Sequence, residues 1–376
     1  MSRLSRRSRG SVTIQDVARA AGVSAMTVSR VINGEPNVRD TTRDAVLAAI
    51  AQLNYAPNAA ARSLAAGEAT HIGLLYANPS AAYLSQFLIG ALEAARRAGC
   101  HLIVESCESE NADEQAEATR RFATTNVEGV ILPPPLSESH AILAELDAVG
   151  MPVVTVAMGF PRADSLNVRI DDYAAANEMT RHLLDLGHRR IGFIKGHPNH
   201  IASHERARGF LAALEDHGLD PADAPIEQGY FTFRSGLVAA ERLLARRNPP
   251  TAIFASNDDM AAAAVSVMHR RGLSVPGDVS VVGFDDTLIA TTIWPELTTV
   301  KQPIAAMAEA ALDILLSNVR ARRGGSEPGA NEQVLGHEMI VRESSGPAPA
   351  ATGRSREQAA APAPPARIRT TARRRA

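Results

Sequence analysis

Ala25, Met26 and Arg30 fall close together in this 376-residue chain, with Ser24, Thr27, Ser29 and Asn33 interleaved among them. That mixture suits a DNA duplex. A guanidinium forks onto guanine O6 and N7, while Met and Ala offer apolar contact, for example to a thymine methyl. Short hydroxyls and an amide suit phosphate contacts that set register. A second, more scattered group comprises Tyr83, His204, Arg206, Phe231, Asn257 and Asp285. An aromatic face to stack on, an amide and a carboxylate for hydroxyls, and a guanidinium to orient suit a small polyhydroxylated ligand. His197, His200 and His204 have a spacing that converges on zinc in some loop-to-helix settings. No cysteine lies near them, and Pro198 stiffens the loop, so ligand contact or surface exposure is expected and no metal or cofactor is assigned. The chain has no GxxxxGK[ST] phosphate loop, no Gly-x-Gly-x-x-Gly opening a helix and no Gly-x-Ser-x-Gly elbow, so no enzyme is expected.

The elements that must position the first group are short helices. Thr13-Ile14-Gln15-Asp16 has a hydroxyl with a carboxylate three residues on, the signature of a capped helix start. Val17, Ala18, Ala20 and Ala21 give that helix a small apolar face, and Gly22 stops it. Ser24 caps a second helix, Ala25 to Asn33, whose Val28, Val31 and Ile32 face inward. Two short helices joined by a tight glycine-containing turn form a helix-turn-helix, with the second helix in the major groove. A third amphipathic run has Asp40 as N-cap and Val46, Ile50 and Leu53 on one stripe. Beyond it, Pro57 and Asn58 start a helix that Gly67 ends, about two turns long and too short to persist alone in water. Ala60, Ala61 and Leu64 form the stripe on which a partner would stabilise it.

From His71 to about Asp286, short apolar strands alternate with helices. Strands are expected at 72–76, 102–104, 129–132, 152–156, 191–194, 252–255 and 279–284. Helices are expected at 83–98, 115–123, 139–149, 174–186, 205–217, 235–245 and 259–270. Continuous apolar strands between helices imply parallel sheets buried on both faces, and two such series imply two α/β lobes with ligands at strand carboxyl ends.

The head resembles the LacI/GalR family of bacterial transcriptional regulators. The resemblance rests on Val12-Thr13-Ile14-Gln15-Asp16-Val17-Ala18, Gly22-Val23-Ser24, Thr27-Val28-Ser29-Arg30-Val31-Ile32-Asn33 and Leu53-Asn54-Tyr55-Ala56-Pro57-Asn58. It extends over the body through Leu186-Gly187-His188-Arg189-Arg190-Ile191, Ser256-Asn257-Asp258, Val282-Gly283-Phe284-Asp285-Asp286 and Leu297-Thr298-Thr299-Val300-Lys301-Gln302. It implies a basic arm (1–11), a helix-turn-helix domain (12–57), a hinge helix (58–67) and a periplasmic-binding-protein-like core (68–345). The core would have two lobes, 68–167 with 304–330 and 168–303 with 331–345, and the chain would cross between them three times. The hinge helix would pair with its twin in a homodimer, with Leu64 wedged into the minor groove; an ordinary linker leucine is the alternative. Thr13, Asn58, Ala61 and Arg62 complete the implied DNA-contacting set on a double-stranded operator, and a repressor is expected. By position, the second group matches the family's effector-contacting places in the inter-lobe cleft. Two departures stand out: many sugar-responsive members have arginine where His204 stands and aspartate where Ala157 stands. A carbohydrate effector is expected from the chemistry of the second group, but with both departures the usual sugars are not to be assumed. A nucleobase, nucleoside or phosphorylated metabolite is the alternative, and Asp258 and Asp285 have a loop-holding alternative. A periplasmic solute-binding protein would share the body, but it would need a signal peptide and would lack residues 12–66.

Charge distribution agrees with a DNA-binding head. The whole chain carries a formal charge of −2. Residues 1–66, however, hold nine arginines against four carboxylates, a net of +5, the footprint of a phosphate-binding module. Residues 1–10 are basic with no apolar run after them, unlike a secretory signal, and no stretch has the length of a membrane span. Residues 346–376 are rich in Ala, Pro and Arg, and a solvated, disordered tail is expected there. Cys100 and Cys107 flank an expected strand, roughly 23 Å apart if extended, so two unpaired thiols and a reducing cytoplasm are expected.

Overall fold

The computed structural model describes residues 13–32, 38–53, 70–77, 79–159, 165–325 and 332–349. The head consists of α1 (Ile14–Ala21), α2 (Ala25–Ile32) and α3 (Asp40–Leu53). Its first helix begins as its residues dictate. The Thr13 N–H donates to Asp16 Oδ2 at 3.0 Å while the Asp16 N–H donates back to Thr13 Oγ1 at 3.4 Å. Gly22 ends α1 at φ 67°, a left-handed conformation that costs a glycine little. Val17, Val28 and Val46 are completely buried where the three helices meet. Asp40 is the first helical residue of α3, not its cap, because the Thr42 and Arg43 N–H groups donate to the Arg39 carbonyl. Ala49 takes the buried place beside Val46, with Ile50 and Leu53 half-buried at its rim.

The body holds two six-stranded sheets. The first runs β11–β5–β4–β3–β1–β2, built from β1 (His71–Tyr76), β2 (His101–Ser106), β3 (Val130–Leu132), β4 (Val153–Val156), β5 (Leu166–Ile170) and β11 (Glu332–Leu335). Its pairings are all parallel. On one face Ile72, Leu74 and Val154 pack with Phe87 of α4 (Ala81–Ala98) and Leu315 of α12 (Ile304–Gly324). On the other, Leu75, Val130 and Leu132 pack with Phe122 of α5 (Ala112–Ala123) and Ile142 of α6 (His140–Ala148). Burial on both faces is why β1, β3 and β4 read as unbroken apolar runs.

The second sheet runs β12–β10–β9–β8–β6–β7, from β6 (Ile191–Lys195), β7 (Ile226–Gln228), β8 (Ala252–Ala255), β9 (Ser280–Asp285), β10 (Thr298–Lys301) and β12 (Glu338–Ile340). Only β12 is antiparallel, to β10. Phe193, Phe254 and Phe284 meet Phe210 of α8 (Ile201–Asp216) on the face shared with α7 (Asp172–Asp185). Ile194, Ile253 and Val281 meet Leu243 of α9 (Phe233–Leu244) and Met260 of α10 (Asp258–Arg270) on the other. A short α11 (Ile289–Thr292) follows β9.

The chain crosses between the sheets after β5, after β10 and after β11. Two expected boundaries move. The expected second lobe began at 168, but Val168 lies inside β5, which pairs with β4 and β11 in the first sheet, so the crossing comes after Ile170. Likewise Val334 and Leu335 pair with Arg169 and Ile170, and only the segment from Glu338 joins the second sheet. Arg169 Nε bonds Glu332 Oε1 at 2.6 Å and ties that outer pair together. The end of the core also extends past Ser345. The Gly346 N–H donates to Ser280 Oγ at 3.1 Å, the Ala348 N–H donates to the Leu186 carbonyl at 2.8 Å, and buried His188 bridges Thr251, Ser280 and the Gly346 carbonyl. Residues 346–349 therefore belong to the second lobe, not to a disordered tail. Cys100 and Cys107 are both free. Among the described residues, no helix is long and apolar enough to cross a membrane.

Candidate effector cleft and DNA-reading head

The expected DNA-contacting residues that are described lie on α2, at its start and at the start of α1. Ser24 Oγ accepts the Thr27 N–H at 3.1 Å and lies 2.9 Å from Thr27 Oγ1, so it caps the helix as its sequence implied. Val28 and Val31 anchor α2 inward, which turns Met26 (67% exposed) and Arg30 outward. Ser29 and Thr27 are half-buried, and Ala25 packs against the head core, leaving it less surface than Met26. Thr13 is exposed at the start of α1. Asn33, Asn58, Ala61, Arg62 and Leu64 lie outside the described residues.

The effector-binding candidates Tyr83, Arg206, Phe231, Asn257 and Asp285 line one cavity between the lobes, with Ser80, Ala157, His200 and Gln302. Arg206 is its hub. Its Nε donates to Asp172 Oδ1 at 2.8 Å, one Nη donates to the Ser256 carbonyl at 2.5 Å, and the same Nη lies 3.8 Å from Asp285 Oδ1. Burial pushes the carboxyls of Asp172 and Asp285 upward, outweighing the opposing pull of Arg206 on each. Gln302, at the second crossing, donates to Asp285 Oδ1 at 2.6 Å. Asn257 caps α10 through the Met260 N–H and donates its amide to the Phe231 carbonyl at 2.9 Å, so its side chain shapes the aromatic wall. Phe231 fills the space a side chain at Gly196 would need. Three cavity residues carry positive φ without being glycine: Ala157 at 56°, Phe231 at 59° and Asp285 at 116°. Such strain costs of order 1–3 kcal/mol each and gathers where geometry serves a ligand. The Tyr83 hydroxyl is buried with no hydrogen-bond partner among the described residues, and its pKa is raised by burial and by the Asp285 carboxylate.

His204 is the exception. Helix α8 begins at Ile201, one turn before the expected Glu205, which places His204 on the solvent side with Nε2 bonded to the Pro198 carbonyl at 2.7 Å. His200 occupies the cleft instead. It is buried, its ring 5.3 Å from that of Phe231, and burial with neighbouring His197 and Arg206 lowers its pKa to about 3. The three histidines do not converge: the rings of His197 and His200 are 5.0 Å apart while His204 turns away. Sequence spacing missed His200 because the extra helical turn was not legible. Asp258 plays the loop-holding part. Oδ2 accepts the Thr287 N–H at 2.7 Å, Oδ1 accepts the Thr299 hydroxyl at 2.6 Å, and burial raises its pKa to about 7. Gly283 leaves room for it, since a Cβ there would strike Asp258 Oδ1.

Contacts across the cleft hold the lobes together. Ser80 Oγ donates to Asp259 Oδ2 at 2.8 Å, and Gln86 Nε2 reaches the Asp286 carbonyl at 3.5 Å. The Ile201 N–H is shared by both Glu138 oxygens at 3.0 Å. The cavity around Arg206 has a volume of about 40 Å³, enough for water but not for a sugar at the usual ~300–1,000 Å³ of ligand pockets. A ligand there requires these contacts to loosen.

Residues 13–58 match the model for bacterial regulatory proteins of the lacI family, and residues 180–345 match that for periplasmic-binding-protein-like domains. The chain is 35% identical to catabolite control protein A of Priestia megaterium over 306 residues, 81% of this chain and 91% of that protein. It is 36% identical to the HTH-type transcriptional repressor PurR of Photobacterium profundum over 310 residues, 82% and 92% of the two chains. The fold resembles a transcriptional regulator CelR–cellobiose complex (TM-score 0.68, 31% identity, 89% of this chain and all of that one, 100%). It also resembles the lac repressor dimer bound to operator and the anti-inducer ONPF (TM-score 0.67, 28% identity, 90% and 100%). With a capped helix-turn-helix in front of a two-lobed core and relatives matched over nearly their whole length, this chain belongs to the lacI family of DNA-binding transcriptional regulators.

Proposed function

We propose that two copies of this chain bind a palindromic operator as a repressor, and that a small polyhydroxylated effector entering the inter-lobe cleft changes the spacing of the two heads. The observation that carries the effector reading is the buried set of Arg206, Asp285, Asn257, Phe231 and Tyr83 in one cavity between two sheets. These groups combine hydrogen-bonding atoms with aromatic faces, the pairing that sugar hydroxyls and C–H faces require. CelR, similar in fold, is a cellobiose complex. A phosphorylated effector fits less well, because Arg206, the only lysine or arginine lining this cavity among the described residues, already faces the carboxylates of Asp172 and Asp285. In the head, Arg30 and Met26 would read base edges, Ser24, Thr27, Ser29 and Thr13 would meet phosphates, and Leu64 would wedge the operator centre.

Differential affinity of the ligand for two lobe arrangements is what moves the equilibrium. Closed lobes held by Ser80–Asp259, Gln86–Asp286 and Glu138–Ile201 form one arrangement; a loosened cleft forms the other. The test is selection of binding sites from a random duplex pool, then titration of sugars, nucleobases and sugar phosphates into the operator complex. Release or tightening by a neutral sugar is expected. A response confined to a nucleobase or a sugar phosphate would replace the carbohydrate reading, and recovery of no symmetric site would overturn the operator reading.

A further inference from the structure

Beside the Arg206 cavity, and sharing His200 and Pro79 with it, lies a second and larger one of about 400 Å³. Its walls come from both lobes: Glu108 and Glu110 after β2, Glu138 after β3, and His197, Asn199 and His200 after β6. Among the described residues, neither lysine nor arginine lines it. Three carboxylates thus face a space to which the described residues bring no lysine or arginine. Glu138 accepts the Ile201 N–H, and His197 Nε2 lies 3.6 Å from Glu110 Oε1. His200 is 5% exposed, and its ring makes no hydrogen bond among the described residues; its centroid lies 5.0 Å from that of His197 and 5.3 Å from that of Phe231. The ring nitrogens are not among the sealed, unpartnered polar atoms, so they open on the cavities that His200 lines and can accept from a donor there.

We propose that this second cavity receives the ammonium group of an amino-substituted sugar, held by Glu138, Glu108 and Glu110 and by a ring nitrogen of His200, while the hydroxylated remainder lies toward Arg206. The inference rests on the cleft being the effector site and specifies the effector's chemical class. Charge supports it from each element around Glu138: Glu108 and Glu110 from the β2 side, His197 and His200 from the β6 side, and the Asp172 carboxylate from the start of α7. His200, with its pKa lowered to about 3, stays neutral and keeps a lone pair for an N–H donor. Burial raises Glu138 to about 7, and an ammonium beside it would favour the ionised form.

Calorimetric titration of the full chain at pH 7 with the β-1,4-linked disaccharide of glucosamine and with cellobiose tests the proposal. The two ligands share their scaffold and differ by ammonium for hydroxyl. The amino disaccharide should bind about tenfold more tightly, the range of one charge-assisted hydrogen bond. Glu138→Gln keeps an oxygen for the Ile201 N–H but loses the charge, and should bring the ratio near one. Glu110→Gln, at an exposed side chain, should reduce the ratio and decides the matter if the Glu138 variant fails to fold. Equal or tighter binding of cellobiose, or a preference unmoved in the folded variants, overturns the proposal. If neither disaccharide binds yet an amine-free compound still releases the operator, the ammonium site is wrong while the effector cleft stands. If nothing tried alters operator binding, both fall.

Discussion

The guanidinium of Arg206 lies 3.6 Å from the centre of the Phe284 ring. Together with Asp172 and the Ser256 carbonyl, that contact fixes the guanidinium before any ligand arrives. Arg206 is 5% exposed, so its partners are nearly dry. Removing one member of a buried charged set leaves the others without compensation. Arg206→Ala should therefore cost about 3–5 kcal/mol in urea unfolding of the core, and Arg206→Lys should recover only part of that, having no planar fork for Asp172 or face for Phe284. A loss below about 1 kcal/mol would mean that solvent reaches these groups.

Glu138 gives the cleft a pH dependence of defined sign. Its carboxyl is raised to about 7 in the folded chain from an ordinary value of 4.5, chiefly by burial. Between those values the native state holds the proton that the unfolded chain has released, so the Glu138 contribution to stability falls as pH rises through about 7. His182, His188 and His200, whose pKa values burial lowers, pull the other way over part of this range. The Glu138 part is therefore read by difference: the melting temperature of the original chain relative to Glu138→Gln should decline from pH 5 to about 7. A variant slope as steep as the original would assign the dependence elsewhere, with Asp258, also raised to about 7, next in line.

How much of this was legible in the sequence depends on what each residue answers to. Thr13, Asp16, Gly22 and Ser24 act within one helical turn, and their local chemistry alone located α1 and α2. Strands buried on both faces announced themselves as apolar runs. β5, β7 and β10 did not, because their place is fixed by neighbours distant in sequence, such as Glu332 opposite Asn167 and Val282 opposite Thr298. His204 and His200 exchanged roles for a similar reason. The start of α8 is held by Glu138 from the other lobe, a contact no local pattern encodes.

On α2, exposure divides the proposed base readers from the residues that pack. Met26 and Arg30 point outward while Val28 and Val31 are buried. Arg30→Ala should relax preference at one base pair per half-site by about 1–3 kcal/mol, measured by competition among operator variants. Met26→Ala should shift preference at a neighbouring pair while leaving head stability within about 0.5 kcal/mol. Uniform weakening across all sequences would make Arg30 a phosphate contact instead.

Leu64 lies beyond the described residues, and its part rests on the family likeness. Leu64→Ala should weaken operator binding and reduce duplex bending, read by gel mobility of circularly permuted fragments, with dimerisation in sedimentation unchanged. Unaltered bending would remove the wedge.

Tyr83 offers the clearest separation of binding from folding. Its ring is buried and stacked 6.4 Å from Phe87, yet its hydroxyl finds no partner among the described residues. A buried hydroxyl left unsatisfied costs about 1–3 kcal/mol. Tyr83→Phe keeps the ring and removes that cost, so the effector-free chain should melt at the same temperature or higher. If the hydroxyl is held ready for an effector oxygen, the same change should weaken the effector about threefold to tenfold, the worth of one neutral hydrogen bond. A Tyr83→Phe chain that unfolds more easily, with affinity unchanged, would show instead that the hydroxyl serves the fold. Only the opposite signs of the two effects, stability up and affinity down, mark Tyr83 as a ligand contact.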